Sequence, residues 1–218
     1  MTGNTSTVFK AAATLALVAV IGTSALVGMH AATEDRIIEQ QRRAVLASLN
    51  QIIPAASYDN DMHEDYIDLE PSGLIHPHQP IRVYRARLDG TDIGLIMQVT
   101  APDGYNGDIK MLVGIDVASR ILGVRILEHR ETPGLGGDDI EVDNSDWILG
   151  FNGKSLGDPV QELWAVKADG GIFDQFTGAT ITPRAIVDTV RQTLDYFNLN
   201  RQSLFDRPAR LIREKDED

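Results

Sequence analysis

The stretch Ile81-Arg-Val-Tyr84-Arg-Ala86-Arg-Leu88-Asp89-Gly90-Thr-Asp-Ile93-Gly-Leu95-Ile-Met97-Gln-Val99-Thr100 decides the fold. Tyr84, Ala86 and Leu88 alternate with charged residues, and beyond Asp89-Gly90 the residues Ile93, Leu95, Met97 and Val99 alternate again. A period of two marks a strand, and Asp-Gly between two such runs accepts the positive φ that a tight hairpin demands. A second pair follows: Ile109 to Val117, a turn around Ala118-Ser-Arg120, then Ile121 to Leu127. Between the pairs lies a glycine loop, Pro102-Asp-Gly104-Tyr105-Asn106-Gly107. These runs predict a mostly antiparallel meander that needs helices from elsewhere in the chain to cover it. The expected class is α+β.

C-terminal to the strands the chain reads Glu128-His-Arg-Glu131-Thr132-Pro133-Gly134-Leu135-Gly136-Gly137. Glycines and a proline bring backbone N–H groups to the surface with little bulk, and Leu135 offers one apolar contact for a flat ring. The spacing is neither a dinucleotide fingerprint nor a phosphate loop, since no Gly-Lys-Ser/Thr follows. A loop without a ligand explains the same residues. An acidic connection from Asp138 leads to Ser145 or Asp146 as the cap of a short helix through Trp147 and Leu149, with Trp147 expected in the core and a position facing a bound ring as the alternative. Leu163-Trp-Ala-Val166 reads as a strand. Lys167 after it is either a solvated lysine or a cation for the edge of a bound ring.

Next comes Asp174-Gln-Phe-Thr177-Gly178-Ala179-Thr180-Ile181-Thr182-Pro183. Thr182 is an N-cap by type, and Pro183 fits the first helical position, where no N–H partner is needed. A hydroxyl there sits beside free N–H groups at the positive end of a helix, which favours a phosphate. An ordinary capped helix start remains the other reading. Ile186, Val190, Leu194 and Phe197 then form the apolar face of a helix to lie on the sheet. Residues 200–218 carry charges of both signs and read as a tail, mobile or docked on a partner.

N-terminal to the strands, Lys10 is the one cation of a short polar leader, and Ala11 to Met29 carries no charge. That length suits a bilayer-spanning helix. A cleaved signal peptide competes, but the run exceeds a usual signal core and an amphipathic helix with Ile38, Val45, Leu49 and Ile52 follows directly, which favours an uncleaved anchor. Lys10 points the N-terminus to the cytoplasm. The expected division is 1–32 leader and transmembrane anchor, 33–56 stalk helix ended by Pro54, 57–199 globular domain opening on a loop with a short strand, and 200–218 tail. His76-Pro-His78 has no third ligand nearby, so no metal site is assigned.

The formal charge of -12 argues against nucleic acid or an anionic membrane surface as partner. Without cysteines there are no disulfides and no thiolate-held metals or clusters. No nucleophile elbow, zinc motif or acid–base pair stands out, so no catalytic residue is assigned. Any redox chemistry must come from a bound group.

Thr177-Gly-Ala-Thr-Ile-Thr182, with Asp174 three residues ahead, is similar to the Ser/Thr-Gly-Ala-Thr-x-Thr signature of the extracytoplasmic FMN-binding domain family. Glu131-Thr-Pro-Gly-Leu-Gly136 resembles a loop of the same family. The resemblance implies that Thr182 carries covalent FMN through a phosphoester, installed by a flavin transferase from FAD, with Asp174, Thr177, Gly178, Ala179 and Thr180 around it. It further implies that Glu131, Thr132, Pro133, Gly134, Leu135 and Gly136 lie against the isoalloxazine, with Tyr105 on the other side. With anchor and stalk, the whole resembles the G subunits of Rnf-type (Rsx) ion-translocating electron transport complexes. The C subunit of the sodium-translocating NADH:quinone oxidoreductase is the alternative; Gly104-Tyr-Asn-Gly107 lacks the Leu-Trp expected there. A non-redox anchored binding module stands behind both. The resemblance implies a single-pass inner-membrane protein with a periplasmic domain. It would pass electrons among other membrane subunits, in a complex coupling ferredoxin/NAD electron transfer to ion movement, and have no turnover of its own.

Overall fold

A computed structural model describes residues 3–70, 80–176 and 178–209. The chain forms α1 (Gly3–Asn50), β1 (Tyr66–Leu69), β2 (Ile81–Leu88), β3 (Thr91–Gly104), β4 (Gly107–Asp116), β5 (Ile121–Glu128) and α2 (Ile181–Asp206), with short 3-10 turns between β5 and α2. It divides into two compact units, Met1–Val45 and Leu46–Asp218.

In the first unit α1 is helical from Gly3, and Glu39 accepts from Arg43 Nε at 2.7 Å one turn on. Among the described residues no helix is long and apolar enough to cross a membrane. The side chains of 25–35, which take in the end of the run expected to be the anchor, lie outside the described residues. Anchor and stalk are not separate helices, because α1 continues through both and ends at Asn50, just short of Pro54.

The second unit is built on one sheet in chain order, β1-β2-β3-β4-β5, every pair antiparallel. Asp89 and Gly90 take φ of 50° and 72°, the double positive φ expected of Asp-Gly in a two-residue hairpin. The register pairs Tyr84 with Ile96 and Arg85 with Leu95. The two apolar stripes legible in β2 and β3 therefore lie on opposite faces, and both faces are covered. On one face Val83, Leu95, Met97, Val99, Met111 and Val113 are buried in the core that includes Ile186, Val190, Leu194 and Phe197 of α2. On the other, Ile52 sits over the facing glycines Gly114 and Gly123, so close that a Cβ on Gly114 would come within 2.2 Å of its Cγ2. Burying each such aliphatic side chain contributes about 1.5–3 kcal/mol.

Arg85 is among the largest fully buried side chains, although its place in an alternating strand reads as solvent-facing. Its Nε donates to Asp65 Oδ1 at 2.8 Å, and its Nη1 donates to the Phe205 carbonyl at 3.0 Å and to the Arg207 carbonyl. Arg87 Nη2 donates to the same Phe205 carbonyl at 3.1 Å. The last carbonyls of a helix have no partner within it, so the two arginines satisfy the C-terminal end of α2. Residues 200–206, read as the start of a tail, are the last turns of α2, with Leu204 and Phe205 buried. Residues 210–218 lie outside the described residues, as do the histidines at 76 and 78.

Leu163 to Val166 is not a strand. Gln161–Leu163 is a 3-10 turn, and Val166 makes a single parallel bridge to Phe173. Trp164 joins Phe151 and Phe173 in an aromatic cluster, with ring centroids 6.3 and 5.2 Å away. Gly170-Gly171 then turns the chain straight back, and a Cβ on Gly171 would stand 1.8 Å from the Ala165 carbonyl oxygen. A parallel ladder needs a longer crossover than that turn provides.

Candidate functional site

Three stretches far apart in sequence meet beside the β3–β4 turn: Tyr105-Asn106 at its tip, the loop after β5, and the first turn of α2. Glu131 ties them together. Its Oε1 accepts from the Asn106 backbone N–H at 2.9 Å, and its Oε2 accepts from the Thr182 hydroxyl. Both residues are buried, Glu131 at 5% exposure and Thr182 at 0%. Asn106 Nδ2 donates to Thr132 Oγ1 at 3.0 Å, and the Glu131 N–H donates to His129 Nδ1 at 3.1 Å.

The loop's shape follows from its residues. Leu135 N–H donates to the Thr132 carbonyl at 3.0 Å, closing a four-residue turn. Pro133 stands second and Gly134, with φ of 75°, third, as a type II turn requires. Gly136 takes φ of 103° and faces the stretch around Ala179 and Thr182 with backbone alone. A Cβ there would stand 3.4 Å from Ala179 Cβ and 3.6 Å from Thr182 Oγ1. Across from it, Ala179 N–H donates to the Phe176 carbonyl at 3.1 Å around Gly178, whose φ is 78°. Thr177 lies outside the described residues.

Thr182 is not the cap residue. The helix begins at Ile181, with Thr180 in helical conformation before it (φ -85°, ψ -23°) and making no side-chain capping bond. Thr182 and Pro183 are the second and third helical residues. A threonine hydroxyl at a cap would accept an N–H of the first turn; this one donates instead to a buried carboxyl group 51 residues away. Pro183 still loses no hydrogen bond, since the third position's N–H is also without an intrahelical partner.

Residues 104–195 match the family described as FMN-binding domain, and residues 1–52 match the RnfG N-terminal region. The chain is 45% identical to the G subunit of the ion-translocating oxidoreductase complex of Shewanella loihica over 202 residues, covering 93% of this chain and 95% of that one. It is 47% identical to the G subunit from Pseudomonas aeruginosa over 190 residues, 87% and 88% of the two chains, and 43% identical to that of Vibrio atlanticus over 194, 89% and 92%. The chain belongs to the G-subunit family of ion-translocating oxidoreductase complexes. The alternative, the C subunit of the sodium-translocating quinone reductase, gives way to this.

In this G-family chain the FMN-binding match spans every site residue expected from sequence. Glu131 meets Thr182 and Gly136 faces Ala179 and Thr182, whereas Thr132 bonds Asn106 and no heavy atom stands within 4 Å of where a Cβ on Gly134 would be. Tyr105 and Leu135 stand exposed, at 65% and 53%. Lys167 and Asp174 form an ion pair with each other, more than half exposed on both sides. Such pairs contribute no more than about 1 kcal/mol, so the lysine is free to exchange partners. Three contributors were missed in the sequence. Asn106 fixes Glu131 through its backbone N–H, and His129 accepts from the Glu131 N–H. Trp147, expected as a core anchor with a ring-facing position as the alternative, donates from Nε1 to the Asp174 carbonyl at 2.8 Å and packs edge-on against Phe176 at 4.9 Å. It thereby pins the stretch from Asp174 to Phe176, just ahead of Gly178. Only Asn106, inside a recognised glycine loop, had any local signal.

Proposed function

We propose that the chain is the membrane-anchored, FMN-carrying electron-transfer subunit of an ion-translocating oxidoreductase complex, with the FMN phosphate esterified to Thr182. The observation that carries this reading is the Glu131–Thr182 hydrogen bond, which brings the two flavin-family stretches into one buried contact. The residues suit the group: Gly136 leaves room that a side chain would fill, Leu135 and Tyr105 offer exposed apolar surface, and the first turn of α2 has N–H groups to spare for an anion. FMN supplies the one- and two-electron chemistry.

This chain's residues hold and orient it. Thr182 provides the tether, with Gly178, Ala179 and Thr180 forming the approach to it and Thr177 opening the same sequence motif. Glu131, Thr132, Gly134, Leu135 and Gly136 line the ring's side, Tyr105 covers the other, and Lys167, positioned by Asp174, supplies a cation at the edge. Residues 1–32 form a cytoplasmic leader and single-pass inner-membrane anchor, 33–56 a stalk, and 57–206 a periplasmic domain that ends with α2, followed by a charged terminus. Partners are the other membrane subunits, which exchange electrons between ferredoxin and NAD, and a flavin transferase that uses FAD. Covalent tethering suits a compartment where a lost cofactor is not replaced.

The test is expression of the full chain with a flavin transferase, followed by intact mass and peptide mapping. The expected result is one FMN on the peptide containing Thr182. Unmodified protein, beside a transferase shown to be active, would refute the attachment.

A further inference from the structure

Resting on Thr182 as the attachment point, we infer that Glu131 is the proton acceptor for the phosphoryl transfer that loads the flavin. A threonine hydroxyl is a weak nucleophile until a neighbouring base takes its proton. Here the hydroxyl already donates to Glu131 Oε2. The other oxygen is held by the Asn106 N–H at 2.9 Å, which leaves Oε2 turned toward Thr182.

The burial of Glu131 points the same way. Buried carboxylates are usually paired with a cation, because desolvation is otherwise uncompensated. Among the described residues no cation is paired with Glu131; its side-chain oxygens are met by a backbone N–H and a hydroxyl, both neutral. A purely structural tie would be made at least as well by a neutral amide. A carboxylate retained there has one neighbour with a hydroxyl proton to give up, Thr182. On one side of that hydroxyl stands Gly136, where a Cβ would come within 3.6 Å of Oγ1, so the approach from that side is not narrowed by a side chain of residue 136.

The step balances without any change of oxidation state. Thr182 Oγ1 attacks the flavin-side phosphorus of FAD held by the transferase, an Oγ1–P bond forms, the pyrophosphate P–O bond breaks and AMP leaves. The hydroxyl proton passes to Glu131 Oε2. In the product Thr182 has no proton to donate, and a protonated Glu131 can donate its own to the new phosphodiester, avoiding two anions in one buried site.

The experiment follows covalent flavin by intact mass over time. It uses full-length wild-type chain, E131Q and E131D, each with purified transferase and FAD, from about pH 7 to 9, where solvent hydroxide begins to replace a missing base. Rates are taken as the ratio to wild type at each pH, so the transferase's own pH dependence cancels. E131Q keeps an oxygen acceptor and should melt cooperatively, yet load about 100-fold more slowly or worse. Its deficit should shrink as pH rises, and E131D, which keeps a carboxylate, should load at least about tenfold faster than E131Q. Wild-type loading of E131Q, a deficit constant with pH, or equal rates for E131D and E131Q would each overturn the assignment. Absence of flavin on the wild type would instead defeat the attachment reading on which it rests.

Discussion

Replacing Thr182 with valine separates the fold's need for the hydroxyl from the cofactor's. Valine fills the same volume in a fully buried position, so no cavity opens. What is lost is the hydrogen bond to Glu131 Oε2, in a position with no exposed surface. A buried acceptor left without its donor costs about 1–3 kcal/mol. Glu131 Oε1 keeps the Asn106 N–H, which places the expected loss near the middle, about 2 kcal/mol. For a domain of this size each kcal/mol moves the Tm by about 2–4 °C, so Thr182→Val should melt about 4–8 °C below the unflavinylated wild type. Thr182→Ser keeps the bond and deletes one methyl, for a loss of about 1 kcal/mol. The assay is thermal unfolding of full-length protein made without the transferase, followed by circular dichroism. In the Glu131→Ala background, where neither oxygen nor amide is left to meet residue 182, the valine change should lose at least about 0.5 kcal/mol of its effect, the mark of a direct contact. A valine variant that melts at or above wild type, or the same loss in both backgrounds, would refute the argument that this bond holds the first turn of α2.

Arg85→Ala removes the buried cation that serves Asp65 and two terminal carbonyls of α2, and should lower stability by about 3–5 kcal/mol, read as the urea midpoint. Gly114→Ala drives a Cβ into Ile52 and should cost about 1–3 kcal/mol; Ile52→Ala in the same chain should recover part of it, because the clash is with that side chain. Asp169, bonded through both oxygens to Arg184 at 2.6 and 2.9 Å, has its carboxyl held below the ordinary carboxylate value by those hydrogen bonds. A lowered folded value means the pair is at full strength above the ordinary carboxylate range and is lost as pH falls through the lowered one. A carboxyl NMR titration should show Asp169 titrating late on acidification, and Arg184→Gln should return it to the ordinary range; an unchanged midpoint would sink the pairing.

The strands were legible because period and turn chemistry are local: Asp89-Gly90 carries its own φ preference whatever surrounds it. Which face each stripe took was not legible. When both faces are buried, alternation gives no direction, and the register of β2 on β3 emerges only on pairing. Arg85 shows the same limit, since its carbonyl partner at Phe205 is 120 residues away. Thr180 and Thr182 are both cap types, and Glu131, remote in sequence, engaged the second and left the helix to start before it. Leu163 to Val166 misled because Trp164 is apolar for an aromatic cluster and not for a ladder. At the site, the glycine loop and the hydroxyl-rich stretch were each readable. Their junction was not, because one carboxyl group bonding one hydroxyl leaves no trace in spacing.

The two ends of α2 are held by opposite charges, and the signs match the helix. Arg85 and Arg87 meet the carbonyls at its C-terminal end, while Glu131 meets the hydroxyl in its first turn. A helix carries partial positive charge at its start and negative at its end, so each contact is favourable with the dipole as well as with its hydrogen-bond partner. That arrangement bears on loading. An anion already sits at the start of α2 before any cofactor arrives, and a phosphate joined to Thr182 would bring a second to the same place. If Glu131 takes the hydroxyl proton, the charge moves from carboxylate to phosphodiester and the helix start keeps one anion throughout. The residue that shapes the empty site is then also the one that prevents repulsion in the filled one.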